Sequence, residues 1–325
     1  MHVLVIGAGG MLGQKLVKTF ALTGKLRGQR ISRITRHDAV LAPPPPVSAF
    51  DIQTQIGDIS HSEVATKLIA ERPDVIFHLA AIVSGEAEDN FEKGYNVNLY
   101  GTRHVLEAIR LIGGSYCPRF LFTSSIAVFG APFPESIEDT YFTTPLTSYG
   151  TQKAICELLI SDYARRGFIQ GLSLRMPTVC VRPGKPNKAA SGFFSNIIRE
   201  PLVGHEAILP VSDQVRHWHA SPRAAVAMLI HGAEIDLTQV GPRRALNMPG
   251  VSCTVAQQIA ALGRIAGDKA VRLIKSVPDE AISRIVAGWP SRFDAKRALA
   301  LGFKADEDFD AIIRAHVEDE LQGKL

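Results

Sequence analysis

Cysteine is scarce and scattered: Cys117, Cys156, Cys180 and Cys253 stand alone among 325 residues, with no CxxC pair. That spacing excludes a disulfide framework and a thiolate zinc site, and the four read as buried thiols. No apolar run approaches the roughly 20 residues needed to cross a bilayer, so no membrane partner is expected. The first apolar stretch is broken at Gly7, with no basic lead and no cleavage site, which argues against a secretion signal and for a cytoplasmic protein. Net charge is small as well. The 36 basic and 32 acidic residues leave +4, with no basic cluster interleaved with aromatics, so nucleic acid is a poor match. What remains is 46% hydrophobic and 21% charged without internal repeats, a globular composition long enough for one large domain or two.

What the sequence does contain begins at once, in MHVLVIGAGGMLG. Val3 to Ile6 predicts a strand buried on both faces, as in a parallel sheet. Met11, Leu12, Leu16, Val17 and Phe20 then fall at helical spacing, so Gly7, Gly10 and Gly13 occupy the strand-to-helix turn. Glycines there let a pyrophosphate reach the backbone N–H groups, and the helix dipole favours its charge. Three glycines also suit a plain tight turn, but strand, turn and helix arrive in the order a dinucleotide site requires. A second strand, Arg30 to His37, should stop at Asp38. A carboxylate about 20 residues past the glycines accepts from the adenosine ribose and repels a 2′-phosphate, which predicts NAD. Arg36 and His37 weigh the other way, since a basic side chain at that strand end pairs with a 2′-phosphate.

Further along, Pro43 to Pro46 predicts a stiff surface loop, and Phe50 to Ile56 a third strand. Asp58 then reads either as a partner for an adenine amine or as the cap of a helix over Ser62 to Arg72. Asp74 to Leu79 predicts a fourth strand, with His78 in the sheet core and Ala80-Ala81 small enough for a cofactor to lie across them. Ser84 opens the loop at that strand's carboxyl end. A helix over Asn96 to Ile112 carries Asn98, and Phe120 to Thr123 predicts a fifth strand ending in Ser124-Ser125. This alternation predicts an α/β fold with a doubly wound parallel sheet.

Chemistry enters at Tyr149, which opens a helix with Lys153 four residues on, one turn away on the same face. For a tyrosine to act as a base near neutral pH, its pKa of about 10 has to fall to about 7, which takes about 4 kcal/mol in favour of the phenolate. A cation at about 5 Å and an effective dielectric of about 20 supplies about 3 kcal/mol. Lys153 is placed for that task, and Ser125 for a hydrogen bond to the substrate oxygen.

Together, Gly7-x-x-Gly10-x-x-Gly13, Asp58-Ile59, Leu79-Ala80-Ala81, Asn98, Ser124-Ser125 and Tyr149-x-x-x-Lys153 resemble the extended short-chain dehydrogenase/reductase family, a match that covers most of the chain. Asp294-x-x-x-Ala298 and Leu301-Gly302-Phe303 are similar to its C-terminal signature. The resemblance implies a Rossmann-type domain over 1–175 and about 220–252, interleaved with a smaller substrate lobe over about 176–219 and 253–325. It makes Tyr149 the proton acceptor, Lys153 a ligand of the nicotinamide ribose and Ser125 the hydroxyl partner. It also extends the NAD site to Met11, Leu12, Ile59, Leu79, Ala80, Ala81, Asn98, Ser124 and Pro177, and a homodimer is expected.

The second half departs from nucleotide-sugar epimerases. Arg175-Met176-Pro177-Thr178-Val179-Cys180-Val181-Arg182-Pro183-Gly184 stands where those enzymes carry an Arg-Tyr-x-Asn-Val-Tyr-Gly-Pro pattern. With His217-Trp218-His219 and Gly288-Trp289-Pro290, this resembles a sugar-acid branch of the family and implies NAD-dependent oxidation of the C2 hydroxyl of a four-carbon sugar acid. A nucleotide-sugar epimerase, or oxidation of a small hydroxy acid as in L-threonine 3-dehydrogenases, are the alternatives. A 2-hydroxy acid needs a fixed cation beside the reacting carbon, for which Arg216 is the first candidate, Arg182 the second and Lys188 a third, with Ser84 and Thr178 meeting the hydroxyls. His217-x-His219 lacks a third ligand at metal spacing, so no metal is expected.

Overall fold

The computed structural model describes residues 1–184 and 191–324. Strand β1 (His2–Ile6) is buried throughout and leads into α1 (Met11–Thr23). Val3 and Val5 join Leu16, Val17 and Phe20 in one core cluster, while Leu4 and Ile6 join Val105, Leu106 and Ile109 in another. The strand is thus covered on both faces, which its unbroken apolar run requires.

The chain continues through β2 (Arg33–Asp38), β3 (Asp51–Ile56), α2 (Ser62–Ala70), β4 (Val75–His78), α3 (Ser84–Asp89), α4 (Gly101–Ile112) and β5 (Arg119–Ser125). It then forms α5 (Ser148–Arg165), β6 (Gln170–Met176), β7 (Thr178–Val179), α6 (Gly192–Leu202), β8 (Arg216–Ala220) and α7 (Pro222–Glu234). Last come β9 (Ala245–Asn247), β10 (Val251–Thr254), α8 (Val255–Val271), α9 (Glu280–Ala287) and α10 (Phe309–Glu320). The expected second strand starts at Arg33 rather than Arg30, and the helix expected from Asn96 opens with a π-helical stretch, Tyr95–Tyr100. α8 is kinked at Gly267, whose φ of +76° only glycine adopts freely.

Seven parallel strands form the main sheet in the order β9-β6-β5-β4-β1-β2-β3. β2 and β3 lie to one side of β1 and the later strands to the other. That reversal leaves a crevice at the carboxyl ends of β1 and β4, where doubly wound sheets bind their ligands. A second sheet, β7-β8-β10, pairs β8 parallel to β7 and antiparallel to β10. It adjoins a separate apolar cluster that gathers Phe193, Phe194, Ile197, Leu262, Phe309 and Ile313. Among the described residues no helix is long and apolar enough to cross a membrane.

Candidate active site

The glycine turn sits at the mouth of the crevice. Gly7 has φ +90°, and a Cβ there would lie 2.4 Å from the Ala80 nitrogen, while one on Gly13 would lie 2.3 Å from the Gly7 carbonyl oxygen. Both glycines are required by packing. Gly10 is different: a Cβ there would come no closer than 3.5 Å to the protein, and its free side opens onto a groove lined by Gly7, Gly10, Met11, Leu12 and Gly13. As the N-cap of α1, Gly10 offers no side-chain bond, so the first N–H groups of the helix stay open to an anion.

Asp38 flanks this turn, its Oδ2 accepting from the Gly9 N–H at 2.7 Å. The two basic neighbours are not available beside it. Arg36 is 4% exposed, and its guanidinium donates to Thr54 Oγ1 at 2.7 and 3.2 Å and to the Pro43 carbonyl at 3.0 Å. His37 is buried, and burial lowers its pKa. The proline loop therefore does more than cover surface, since its first carbonyl holds Arg36.

Leu79 and Ala81 line the cavity between the sheet and the lobe, and Ala80 abuts Gly7 while donating its N–H to the Ile6 carbonyl. Asp58, Ile59 and Asn98 line neither this cavity nor the glycine groove. Asp58 accepts from the Ser60 N–H in the turn before α2, and Ile59 is buried in the core. Asn98 brackets the loop after β4, accepting from the Ile82 N–H at 2.8 Å and donating to the Ile82 carbonyl and to Gln152.

Tyr149, Ser125 and Lys153 meet on one wall of a cavity of about 290 Å³. Thr147 caps α5 by accepting from the Gly150 N–H at 3.0 Å. Gly150 also lies so near Ala127 that a Cβ would be 2.1 Å from its carbonyl oxygen, which brings Tyr149 onto the end of β5. Lys153 Nζ lies 5.6 Å from the Tyr149 ring centre and 4.5 Å from that of Phe122, and it donates to the Thr123 carbonyl at 2.8 Å. Burial pushes the lysine pKa down to about 8. For Tyr149, burial raises the pKa, while the charge of Arg182 and a hydrogen bond with Ser125 pull it down. Burial outweighs both, so the Tyr149 pKa stands above its ordinary value without ligands, and Arg182 joins Lys153 as a cation near the phenol.

Behind this wall lies a buried ion pair. Glu157, on the same face of α5 one turn past Lys153, accepts from Arg175 Nε and Nη2 at 3.0 and 2.8 Å and from the Ser124 hydroxyl. Arg175 Nη1 reaches Asn247 Oδ1 at 3.1 Å. The pair thereby joins the catalytic helix to the ends of β5, β6 and β9.

The lobe side of the cavity carries Pro177, Thr178, Arg182, His217 and Trp289, with Ser84 at the rim of α3. Arg182 donates Nε to the Val179 carbonyl at 2.9 Å and Nη2 to Ser191 at 3.2 Å. It lines both this cavity and the glycine groove, and among the described residues no acidic side chain bridges it. Arg216 is not brought to the cavity: it points to the other face of β8 from His217 and donates to the Ser252 carbonyl at 3.1 Å. The alternation of side chains along a strand accounts for this placement. Lys188 lies outside the described residues. His217 and His219 share a face, with Nε2 atoms bonded to Thr178 and Gln258.

Residues 3–237 match the model of the NAD dependent epimerase/dehydratase family. The chain belongs to that family. It is 45% identical over 323 residues to a D-erythronate dehydrogenase of Cupriavidus necator, covering 98% of each chain. It is 42% identical over 321 residues to a D-erythronate dehydrogenase of Haemophilus influenzae, covering 99% of this chain and 100% of the relative. The solved structure of a nucleoside-diphosphate-sugar epimerase from Agrobacterium tumefaciens superposes with a TM-score of 0.97 at 57% identity, covering 100% of this chain and 95% of that one. The enzyme is an NAD-dependent oxidoreductase of Rossmann type.

The residues present fit NAD: open N–H groups at α1 face the groove, a fixed carboxylate flanks the turn, and small residues follow β4. Sequence reasoning missed the nearness of Arg182 to Tyr149 and the place of His217 in the cavity wall. The first had no signal in the chain. The second has one, the His-x-His alternation that turns both imidazoles to one face of a strand.

Proposed function

We propose that the enzyme oxidises the C2 hydroxyl of D-erythronate to 2-dehydro-D-erythronate. The observation that carries this reading is the charge of the cavity: among its described lining residues Arg182 and Lys153 are the charged groups, and no acid lines it. Both donate to backbone carbonyls, and of the two Arg182 has the planar fork that meets a carboxylate with parallel hydrogen bonds. NAD, held by the glycine turn and Asp38, would supply the acceptor for the hydride lost from C2. Tyr149 takes the proton of the C2 hydroxyl, Ser125 holds the same oxygen by a hydrogen bond, and Ser84 and Thr178 receive the remaining hydroxyls. The products are the 2-keto acid, NADH and a proton.

The alternatives fit less well. An α-amino acid such as threonine brings an ammonium that needs a buried carboxylate, since an unpaired charge taken out of water costs several kcal/mol (about 3–5 when a partner is missing). A nucleotide sugar has to share about 290 Å³ with the nicotinamide end of the cofactor. Names such as that of the Agrobacterium structure favour the epimerase reading, and the lining favours the acid.

The test is to supply NAD with D-erythronate, related four-carbon sugar acids, L-threonine and a UDP-sugar, and to follow NADH. Formation with D-erythronate is expected. Silence with every sugar acid and turnover of threonine would overturn the proposal. The same proposal divides the chain into an NAD domain, 1–175 with about 220–252, and an interleaved substrate lobe, and makes it a cytoplasmic homodimer, for which light scattering is the check.

A further inference from the structure

His217 is used by nothing described so far, yet it is among the most constrained side chains of the cavity wall. It is 2% exposed. Its ring stacks parallel on Phe194 of α6, with centres 5.1 Å apart and planes 1° apart, and lies tilted against Trp289 at 5.3 Å. With His219 at 5.3 Å as well, three rings crowd the imidazole. The edge left over faces Thr178, and Nε2 stands 2.7 Å from its Oγ1.

Burial holds the imidazole pKa near 3, and the charge of Arg182 acts in the same direction, so the ring is neutral and has one donor and one acceptor. A threonine hydroxyl carries one proton and two lone pairs. With Nε2 taking one of these positions in a fixed direction, the remaining capacity of Thr178 is turned to the cavity that both residues line. A substrate hydroxyl arriving there completes the set. A methylene arriving there displaces water from Thr178 without replacing its hydrogen bond, and sites built to bond a hydroxyl discriminate strongly against analogues that lack it.

We propose that His217 is a positioning residue for Thr178, and that the pair selects acids carrying a hydroxyl beyond the carbon that is oxidised. The inference rests on the sugar-acid reading above and adds to it the group that enforces substrate choice. His217 does not touch the reacting atoms; it acts through Thr178.

The experiment compares wild type with His217→Phe, His217→Gln, Thr178→Val and the His217→Phe/Thr178→Val double variant. Phenylalanine keeps the stack on Phe194 and Trp289 and removes the hydrogen bond. Each enzyme is assayed with D-erythronate and with 2-hydroxybutyrate, a four-carbon 2-hydroxy acid without the further hydroxyls, the latter as substrate or as competitive inhibitor. NAD affinity is measured by calorimetry. For His217→Phe, KM for D-erythronate should rise about tenfold, the value of roughly one hydrogen bond, with kcat altered less than about threefold. The constants for 2-hydroxybutyrate and the NAD affinity should hold. Thr178→Val should show the same loss on D-erythronate and take 2-hydroxybutyrate better than wild type, since no polar group is left unmet; the double variant should lose no more on D-erythronate than either single one, and His217→Gln should recover part of the KM. Equal losses on both acids, or losses that multiply in the double variant, would overturn the pair while leaving the reaction standing. A wild type that does not oxidise D-erythronate overturns the reaction and the pair with it. If His217→Phe fails to fold, Thr178→Val and His217→Gln carry the same comparison.

Discussion

Replacing Arg182 by methionine should separate activity from stability. Its hydrogen bonds to the Val179 carbonyl and Ser191 contribute about 1.5–3 kcal/mol each as bonds from a charged donor. Against this, the folded chain keeps a half-buried guanidinium whose pKa desolvation lowers, and taking such an ion partly out of water costs a few kcal/mol (about 3–5 for a fully buried one without a partner). The two nearly offset each other, so the variant without ligands should melt within about 3 °C of the parent. Activity behaves otherwise. A buried charge left without its ionic partner typically costs about 2–5 kcal/mol, which is a loss of about 30-fold to 5,000-fold in kcat/KM for D-erythronate. Because the charge of Arg182 also pulls the Tyr149 pKa down, the rising limb of the kcat profile should move to higher pH. Steady-state NADH assays across pH, scanning calorimetry and NAD titration give the three readouts. Arg182 also borders the glycine groove, so a large fall in NAD affinity would reassign it to the cofactor's pyrophosphate. A variant that melts far lower yet keeps its kcat/KM per folded molecule would refute the reasoning altogether.

Tyr149→Phe should lower kcat by about 100-fold to 10,000-fold, the usual contribution of a positioned base, with NAD affinity retained in a calorimetric titration, whereas Lys153→Met should weaken both. Asp38→Ala should narrow the preference for NAD over NADP, measured as the ratio of kcat/KM values, while Arg36→Gln should leave the ratio unchanged, because Arg36 is already spent on Thr54 and Pro43. His78 and His217 have pKa values near 3 in the folded chain, against about 6.5 unfolded. The unfolded state therefore binds more protons between those values, and stability should fall as pH drops below about 6.5, by about 2 kcal/mol for each histidine at pH 5. Urea midpoints from pH 7 to 5 check this, and His217→Phe should flatten the slope.

The middle of the sheet was legible because β1, β4 and β5 are built on short apolar runs closed by turn residues, and β1 announces its two-sided burial in Val3 to Ile6. The glycine turn, Asp38 and the Tyr149/Lys153 pair were legible because each is local: a strand end, a turn, one turn of helix. The substrate side was not, since it depends on which face of a strand a residue occupies after the strand has docked. Arg216 and His217 are adjacent in sequence, and only the pleat of β8 decides that the histidine reaches the cavity and the arginine does not. Arg36 shows the same limit at the cofactor end, where its guanidinium is held by a loop carbonyl seven residues on.

The Glu157–Arg175 pair also limits how this chain can drift in sequence. Changing either partner alone strands a buried charge at about 3–5 kcal/mol, a large share of the 5–15 kcal/mol (roughly) that keeps a domain folded. The two positions are therefore separated from any other solution by a valley that single substitutions do not cross. Lineages that leave the pair should be found to have replaced both residues, and Ser124 and Asn247, which share their hydrogen bonds, should change in the same company.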